Sequence, residues 1–158
     1  MSQESPRLES LIGYQLKHVQ SLLKSRMDEV LRPLGLSTPQ YACLELLERS
    51  PGASNSELAR GAFVTRQAMN TLLRGLQDRD LVTRPDTVES GRARPTTLTA
   101  DGQTLLAQAS RLVEGIEERM VAGLDQAGRK RLGAALDTCI DALEGPADPS
   151  QKPPHRTT

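Results

Sequence analysis

Residues 54–99 have the sequence SNSELARGAFVTRQAMNTLLRGLQDRDLVTRPDTVESGRARPTTLT, which carries the strongest structural signals of the chain. Ser54 followed three residues later by Glu57 is the spacing of a capping box, and it predicts a short helix that ends at Gly61. Thr65 can cap a longer second helix. A strand, a polar loop and another strand follow, so this stretch predicts a winged helix-turn-helix.

The second helix of this stretch has two contrasting faces. Its apolar residues recur at the spacing of a buried stripe, namely Ala68, Met69, Leu72, Leu73 and Leu76. Its opposite face carries no acidic residue and consists of Arg66, Gln67, Asn70, Thr71 and Arg74. Cations, amides and hydroxyls are the groups that bind base edges and phosphates. The pattern predicts a DNA recognition helix, and an ordinary solvated face is the alternative.

The position of each side chain along this helix predicts its role. Residues near the start of a recognition helix meet base edges in the major groove, and these are Arg66, Gln67 and Asn70. Residues suited to phosphate contacts are Thr65, Thr71 and, at a flanking phosphate, Arg74. In the loop between the strands, Arg92 and Arg94 alternate along the ribbon, so both can point to one side and enter a minor groove.

The chain resembles the MarR (multiple antibiotic resistance regulator) family of bacterial transcription factors. The matching segments are LGLSTPQYACLELL (34–47), NSELARGAFVTRQAMNTLLRGLQDRDLVTR (55–84) and LTADGQTLL (98–106). With the flanking amphipathic helices, the resemblance covers roughly residues 8–143. It departs from the family in the wing, where an Asp-Arg-Arg type sequence is replaced by DTVESGRARP.

The resemblance implies an obligate homodimer that binds a pseudo-palindromic DNA operator, usually as a repressor released by a small molecule or by oxidation. It also implies that the terminal helices of two subunits interleave. Taken alone, the apolar residues of those helices leave a monomeric helical bundle as the alternative. A helical adaptor protein that uses the winged fold for protein contacts is the alternative function.

The hydrophobic pattern predicts a mainly α-helical single domain with a small β-wing. The expected organisation is a flexible start at 1–6, a domain at 7–144 and a proline-rich disordered tail at 145–158. Within the domain, the winged helix-turn-helix spans about 37–99 and the dimerisation helices about 7–32 and 100–144. Further expected helix starts are Thr38, Thr99 and Asp125.

The 158 residues contain 20 basic and 20 acidic side chains, so the net charge is zero. Local charge is the relevant quantity for a nucleic-acid partner, and the cations are segregated. Residues 64–74 hold two arginines without an acid, and residues 90–99 do the same. Acidic side chains instead occur in the helix after the wing, at Glu114, Glu117 and Glu118.

The resembling family binds small anionic aromatic molecules such as salicylate between its first two helices and the DNA-binding lobe. Tyr14, Lys17 and His18 fall on about one turn of the first helix, and Tyr41 lies in the second. A cation, a titratable donor and two phenols beside apolar surface suit a phenolic carboxylate. Side chains that are merely solvated or part of the interface are the alternative.

Other classes of function have little support in the sequence. We expect no enzyme, cofactor or metal site, because two histidines and no glycine-rich loop or nucleophile motif are present. No apolar run approaches the roughly 20 residues of a membrane span, and we expect a cytoplasmic protein. Cys43 lies between Ala42 and Leu44, where a free cysteine is usually core rather than a redox sensor.

Overall fold

The computed structural model describes residue 5, residues 7–84 and residues 96–145. Within them, the helices are α1 Ile12–Leu31, α2 Thr38–Arg49, α3 Asn55–Gly61, α4 Arg66–Asp78, α5 Ala100–Val121 and α6 Gln126–Glu144. Strands β1 Val82–Thr83 and β2 Thr97–Leu98 pair antiparallel between α4 and α5. The predicted fold class is confirmed. Most of the predicted terminal segments, and the wing residues 85–95 with Arg92 and Arg94, lie outside the described residues.

The first predicted helix is divided near its start. A single 3-10 turn, Leu8–Ser10, precedes Leu11, whose extended backbone (φ −73°, ψ 128°) separates it from α1. The apolar periodicity continues through this break, so the pattern alone did not reveal it. A second 3-10 turn, Arg32–Leu34, follows α1 and leads into α2.

The N-cap of α2 is Ser37, whereas the sequence favoured Thr38. The Ser37 hydroxyl accepts a hydrogen bond from the Gln40 amide, and the Gln40 side chain accepts one from the Ser37 amide. Thr38 instead donates its hydroxyl to Asp28 Oδ1 at 2.5 Å, which ties α2 to the end of α1. Hydrogen bonds from Lys24 and Thr38 hold the pKa of Asp28 below its ordinary value.

The other predicted helix starts are confirmed, although at α3 only the Ser54 half of the expected capping box is formed. A side-chain oxygen accepts a backbone amide three residues ahead in every case, at Ser54 for α3, Thr65 for α4, Thr99 for α5 and Asp125 for α6. Each such bond satisfies one of the amides that a helix N-terminus leaves without a partner, and it stabilises the helix by about 1 kcal/mol.

The core lies where α4 packs against α2 and α5 completes the layer. Met69, Leu73 and Leu76 of α4 are buried, as the predicted stripe requires. Ala68 is exposed, contrary to that prediction, because it lies at the edge of the stripe in the first turn of α4. Burial raises the pKa of the core thiol of Cys43 to about 12, so almost no thiolate forms at neutral pH.

A polar contact also connects α2 to α5. Glu45 accepts hydrogen bonds from the Tyr41 and Ser110 hydroxyls, both at 3.0 Å, and from Arg49. Burial by itself raises the pKa of Glu45, but these hydrogen bonds outweigh it and hold the pKa below its ordinary value. Glu45 is therefore a charged side chain with satisfied hydrogen bonds that bridges α2 and the long helix α5.

The start of α5 lies directly against the first strand. Thr99 donates its amide to the Leu81 carbonyl at 3.1 Å and its hydroxyl to the Asp80 carbonyl at 2.6 Å. A β-carbon at Gly102 would lie 2.1 Å from the Leu81 carbonyl oxygen. Glycine is thus required at position 102 for α5 to approach the strand pair.

Helix α6 contains no buried residue. It is attached to α5 by the tight turn before Asp125 and by a bidentate ion pair in which Arg129 donates to Glu118 at 2.8 and 3.1 Å. Leu132, Ile140 and Leu143 are exposed along it. In the part of the chain that is described, no helix combines the length and the apolar character needed to cross a membrane.

Candidate nucleic-acid interface

The polar face of α4 points away from the core. Because Met69, Leu73 and Leu76 are buried on one side, the side chains on the other side project into solvent. Arg66, Gln67 and Arg74 are all exposed, and within the described residues no hydrogen bond ties their side chains to the rest of the chain. Their donors and acceptors are therefore available to an external ligand.

The two threonines of this face differ in what they can still offer. Thr65 Oγ1 accepts the Ala68 amide at 3.1 Å, which uses a lone pair and leaves its O–H group to donate. The Thr71 hydroxyl donates to the Gln67 carbonyl at 3.2 Å, so its own proton is engaged within the helix. Thr65 is thus the better placed of the two to donate to a phosphate oxygen.

Asn70 differs from the freely exposed amide that the sequence predicted. It is half-buried, and its Oδ1 atom accepts hydrogen bonds from Asn55 and, at 2.8 Å, from the guanidinium of Arg84. The Asn55 Oδ1 atom is itself buried and accepts no hydrogen bond from the described residues. An adenine contact by Asn70 would require its acceptor to leave Arg84. In this geometry Asn70 connects α3, α4 and the base of the wing.

Arg84 is a residue of this surface that sequence reasoning missed. Its side chain is held by Asn70 of α4, and its carbonyl accepts from Gln77 Nε2 at 3.2 Å, so both ends of the residue are fastened to α4. The one available signal was that Arg84 is the last cation before the wing. Its partner lies 14 residues away, and no helical or strand period connects them.

The four side chains predicted to hold an aromatic anion differ in how accessible they are. Tyr14, Lys17 and His18 lie close together on exposed α1, with the Tyr14 and His18 rings 6.4 Å apart between centroids. Tyr41 is buried in α2, and its hydroxyl donates to Glu45. Burial and the negative charge of Glu45 raise the pKa of Tyr41. Its phenol is therefore occupied in the free chain.

A groove of about 250 Å³ lies between α1 and α5. Apolar side chains form most of its lining, with Arg26 and Arg119 beside them, and the apolar set is Val19, Leu22, Leu23, Ile116 and Met120. Arg26 forms an ion pair with Glu29 at 3.0 Å.

A sequence model of the MarR family matches residues 34–93, which include α2, α3 and α4. The HTH-type transcriptional repressor Rv2887 of Mycobacterium tuberculosis is 47% identical over 113 residues, which are 72% of this chain and 81% of that protein. The chain belongs to the MarR family.

Two solved structures of the MarR family protein Rv2887 of Mycobacterium tuberculosis are similar to this MarR chain. The complex with salicylic acid has a TM-score of 0.68 and 40% identity, covering 88% of this chain and 99% of the other. The complex with DNA has a TM-score of 0.68 and 36% identity, covering 84% of this chain and 99% of the other. The winged helix-turn-helix inferred from residues 54–99 thus agrees with both comparisons.

The contact between Asn70 and Arg84 predicts a measurable coupling in this MarR protein. We expect Asn70→Ala to lower the free energy of unfolding by about 1–3 kcal/mol, because two partly buried donors lose their acceptor. Arg84→Ala should lower the free energy of unfolding less in the Asn70→Ala background than in the parent, and the two losses should differ by about 0.5 kcal/mol or more. Urea denaturation of the two single variants and the double variant measures this.

The control is Gln67→Ala, which removes an exposed amide one turn earlier on α4. It should change the free energy of unfolding by less than about 0.5 kcal/mol. Additive effects of the Asn70 and Arg84 substitutions would contradict the coupling.

Proposed function

We propose that this protein is a sequence-specific DNA-binding transcriptional repressor that responds to a small ligand. The observation that carries the proposal is the acid-free, exposed face formed by Arg66, Gln67 and Arg74 on a helix whose other side is fixed in the core. Relatives described as transcriptional repressors, and a related protein solved with DNA, support it.

Within this proposal, each side chain of α4 has a distinct task. Arg66 and Gln67 read base edges, because they lie in the first turn of the recognition helix and carry no internal hydrogen bond. Thr65 and Arg74 bind phosphates on either side. Asn70 positions Arg84, whose remaining N–H groups face a phosphate at the base of the wing.

The proposed wing contact stays as the sequence predicted it. Arg92 and Arg94 enter the adjacent minor groove, where an A·T-rich sequence gives a narrow groove and a strong negative potential. The position of Arg84 beside α4 supports this, because it extends the basic face of α4 to the residue that precedes the wing.

Base reading and phosphate binding are separable by substitution. We expect Gln67→Ala to cost about 1–3 kcal/mol on the preferred operator and little on random DNA, since only a base contact is lost. Arg74→Ala should weaken both DNAs about equally and make the salt dependence shallower by about one unit of slope. Fluorescence anisotropy with a selected duplex and a scrambled duplex, at several salt concentrations, measures both effects.

The same titrations test the adaptor alternative. Docking onto a protein releases few counterions, so a parent protein whose DNA binding showed no salt dependence would favour the adaptor. If Gln67→Ala and Arg74→Ala reduced specific and random binding by the same factor, the division of roles would be wrong.

We further propose that the active form is a homodimer on a pseudo-palindromic operator. Helix α6 has no buried residue, and α1 exposes Ile12, Leu16 and Val19. Exposed apolar surface on two helices is costly in water and typical of an interface. In the proposed dimer, the α6 stripe of one subunit covers the α1/α5 groove of the other. Its two recognition helices are expected to meet successive major grooves about one DNA turn, or ~34 Å, apart.

The proposed dimer predicts that substitutions on one face of α6 disrupt dimerisation and that substitutions on the opposite face do not. We expect Leu132→Glu with Ile140→Glu to give monomers or aggregates, because charge is placed in the interface. Thr138→Glu, on the opposite side of the same helix, should leave the dimer intact. Light scattering checks this against twice the 17.2 kDa chain mass. A parent protein that is a stable monomer at micromolar concentration would contradict the proposed dimer.

The effector we propose is a small anionic aromatic acid bound beside Tyr14, Lys17 and His18. Their grouping on exposed α1 supplies a cation, an imidazole and a phenol where the dimer would enclose them. The related complex with salicylic acid supports this class of ligand. Tyr41 would join them only if its hydrogen bond to Glu45 were exchanged.

Salicylate near one hundred times its dissociation constant should raise the melting temperature by about 5–10 °C, since it binds only the folded state. Lys17→Ala should remove most of that shift, whereas Lys24→Ala, two turns further along α1, should retain it relative to its own baseline. Thermal-shift measurements with and without salicylate provide the comparison. Equal shifts in both variants would exclude Lys17 from the site.

The family and the names of the relatives indicate a regulator rather than an enzyme. Because such a regulator acts on DNA, we also propose a cytoplasmic location for it.

A further inference from the structure

Three helix ends in the described chain share one backbone geometry. In each, a residue one or two positions past the last helical residue has positive φ and donates its amide three residues back, while the next amide donates five residues back. This is the Schellman motif. The pairs of donors are Gly35 with Leu36, Phe63 with Val64, and Asp80 with Leu81.

The residue at the left-handed position differs among the three ends. Gly35 (φ 68°) lacks a β-carbon and is unstrained there. Asp80 (φ 57°) is of a type that tolerates this region, and it is polar and exposed. Phe63 (φ 58°) has a β-carbon and is not of a tolerated type, because a large aromatic residue is strained in this conformation.

Among the large apolar residues that the structure describes, Phe63 is also the most exposed. Its side chain is 94% exposed, so packing within the chain does not compensate for the backbone strain. Glycine or asparagine would relieve both the strain and the apolar exposure. The presence of the chain's single phenylalanine at this position therefore points to a contact that the free chain does not make.

The position of Phe63 indicates which contact this is. It lies two residues before Thr65, the N-cap of α4, so its Cα is within roughly 8 Å of that residue. Its own amide donates to Arg60 at 3.2 Å, and the Val64 amide donates to Ala59 at 3.0 Å. The ring is thus presented from a fixed backbone beside the end of α4 that carries Arg66 and Gln67.

We propose that the Phe63 ring makes an apolar contact with DNA next to the first turn of α4, either on a thymine methyl group or on deoxyribose carbons. Phenylalanine is suited to a thymine methyl in the major groove, and binding would bury a ring that the free protein exposes. The inference rests on the proposed DNA-binding function and adds a non-polar specificity residue to it.

The proposed dimer does not account for this ring. The apolar surfaces available for dimerisation are on α1, on α6 and in the α1/α5 groove, whereas Phe63 lies in the turn between α3 and α4. A protein partner that docks on this turn is the competing explanation, and it becomes an outcome of the test.

The test separates stability from DNA affinity at one position. Phe63→Asn keeps a residue that accepts positive φ and removes the ring. We expect a melting temperature equal to or above that of the parent, together with an about 5- to 30-fold higher dissociation constant. The probe is a duplex selected by the parent protein from a random pool, titrated with both proteins in parallel.

Asp80→Asn is the matched control, because it changes the same position of the same motif at the other end of α4. Its dissociation constant should stay within about threefold of the parent value. Equal affinities of Phe63→Asn and the parent would overturn the proposal and leave a protein partner as the explanation. A lower melting temperature of Phe63→Asn would also overturn it, because the ring would then be supporting the fold. Failure of the parent to bind any selected duplex would instead refute the proposed function itself.

A direct readout comes from the single phenylalanine of the chain. The ring signals of selectively labelled phenylalanine all come from Phe63, and we expect them to shift when the selected duplex is added and to stay unshifted in a DNA-free control at the same salt concentration. Replacing thymines by deoxyuridine removes the methyl groups. Loss of affinity in the parent but not in Phe63→Asn identifies a methyl contact, and equal affinity identifies the sugar. An unshifted ring signal in the saturated complex would contradict the proposal.

Discussion

The burial of one stripe of α4 against α2 is the contact on which the rest of the structure depends. Met69, Leu73 and Leu76 are each at most 1% exposed, and each contributes about 1.5–3 kcal/mol of burial free energy. A rotation of α4 by one residue would turn the stripe by about 100° and expose part of it. Core packing therefore sets the direction of Arg66, Gln67 and Arg74, and it orients the recognition surface without any contact from a ligand.

A second constraint is the apolar surface that the folded chain cannot cover by itself. The 22-residue helix α5 spans about 33 Å and joins the strand pair at one end to α6 at the other. Gly102 and Thr99 anchor its start against Leu81. With α5 fixed in this way, any partner that packs on α6 or on the α1/α5 groove also sets where the DNA-binding lobe lies. In the proposed dimer, this is a physical route by which the proposed effector beside α1 would alter the spacing of the two recognition helices.

Polar side chains on and beside the exposed face of α4 fall into two groups, which differ in what the fold loses when they bind DNA. Arg66 and Gln67 are solvated and can exchange water for DNA at little cost to the fold. Asn70 and Arg84 are partly buried and already paired, so the hydrogen bond between them holds Arg84 against α4 before any ligand binds. Phe63 belongs to neither group, because its conformation is strained and its ring is unburied.

Local and periodic signals in the sequence determined the helices, four of the N-caps and the polar face of α4, because caps and amphipathic stripes act within a few residues of each other. The tertiary structure alone decided the contacts that join distant residues. It paired Asn70 with Arg84, occupied the Tyr41 hydroxyl with Glu45 and exposed Ala68 at the edge of the stripe. These outcomes depend on how strands and helices approach in space, and neither spacing nor residue type encodes that approach.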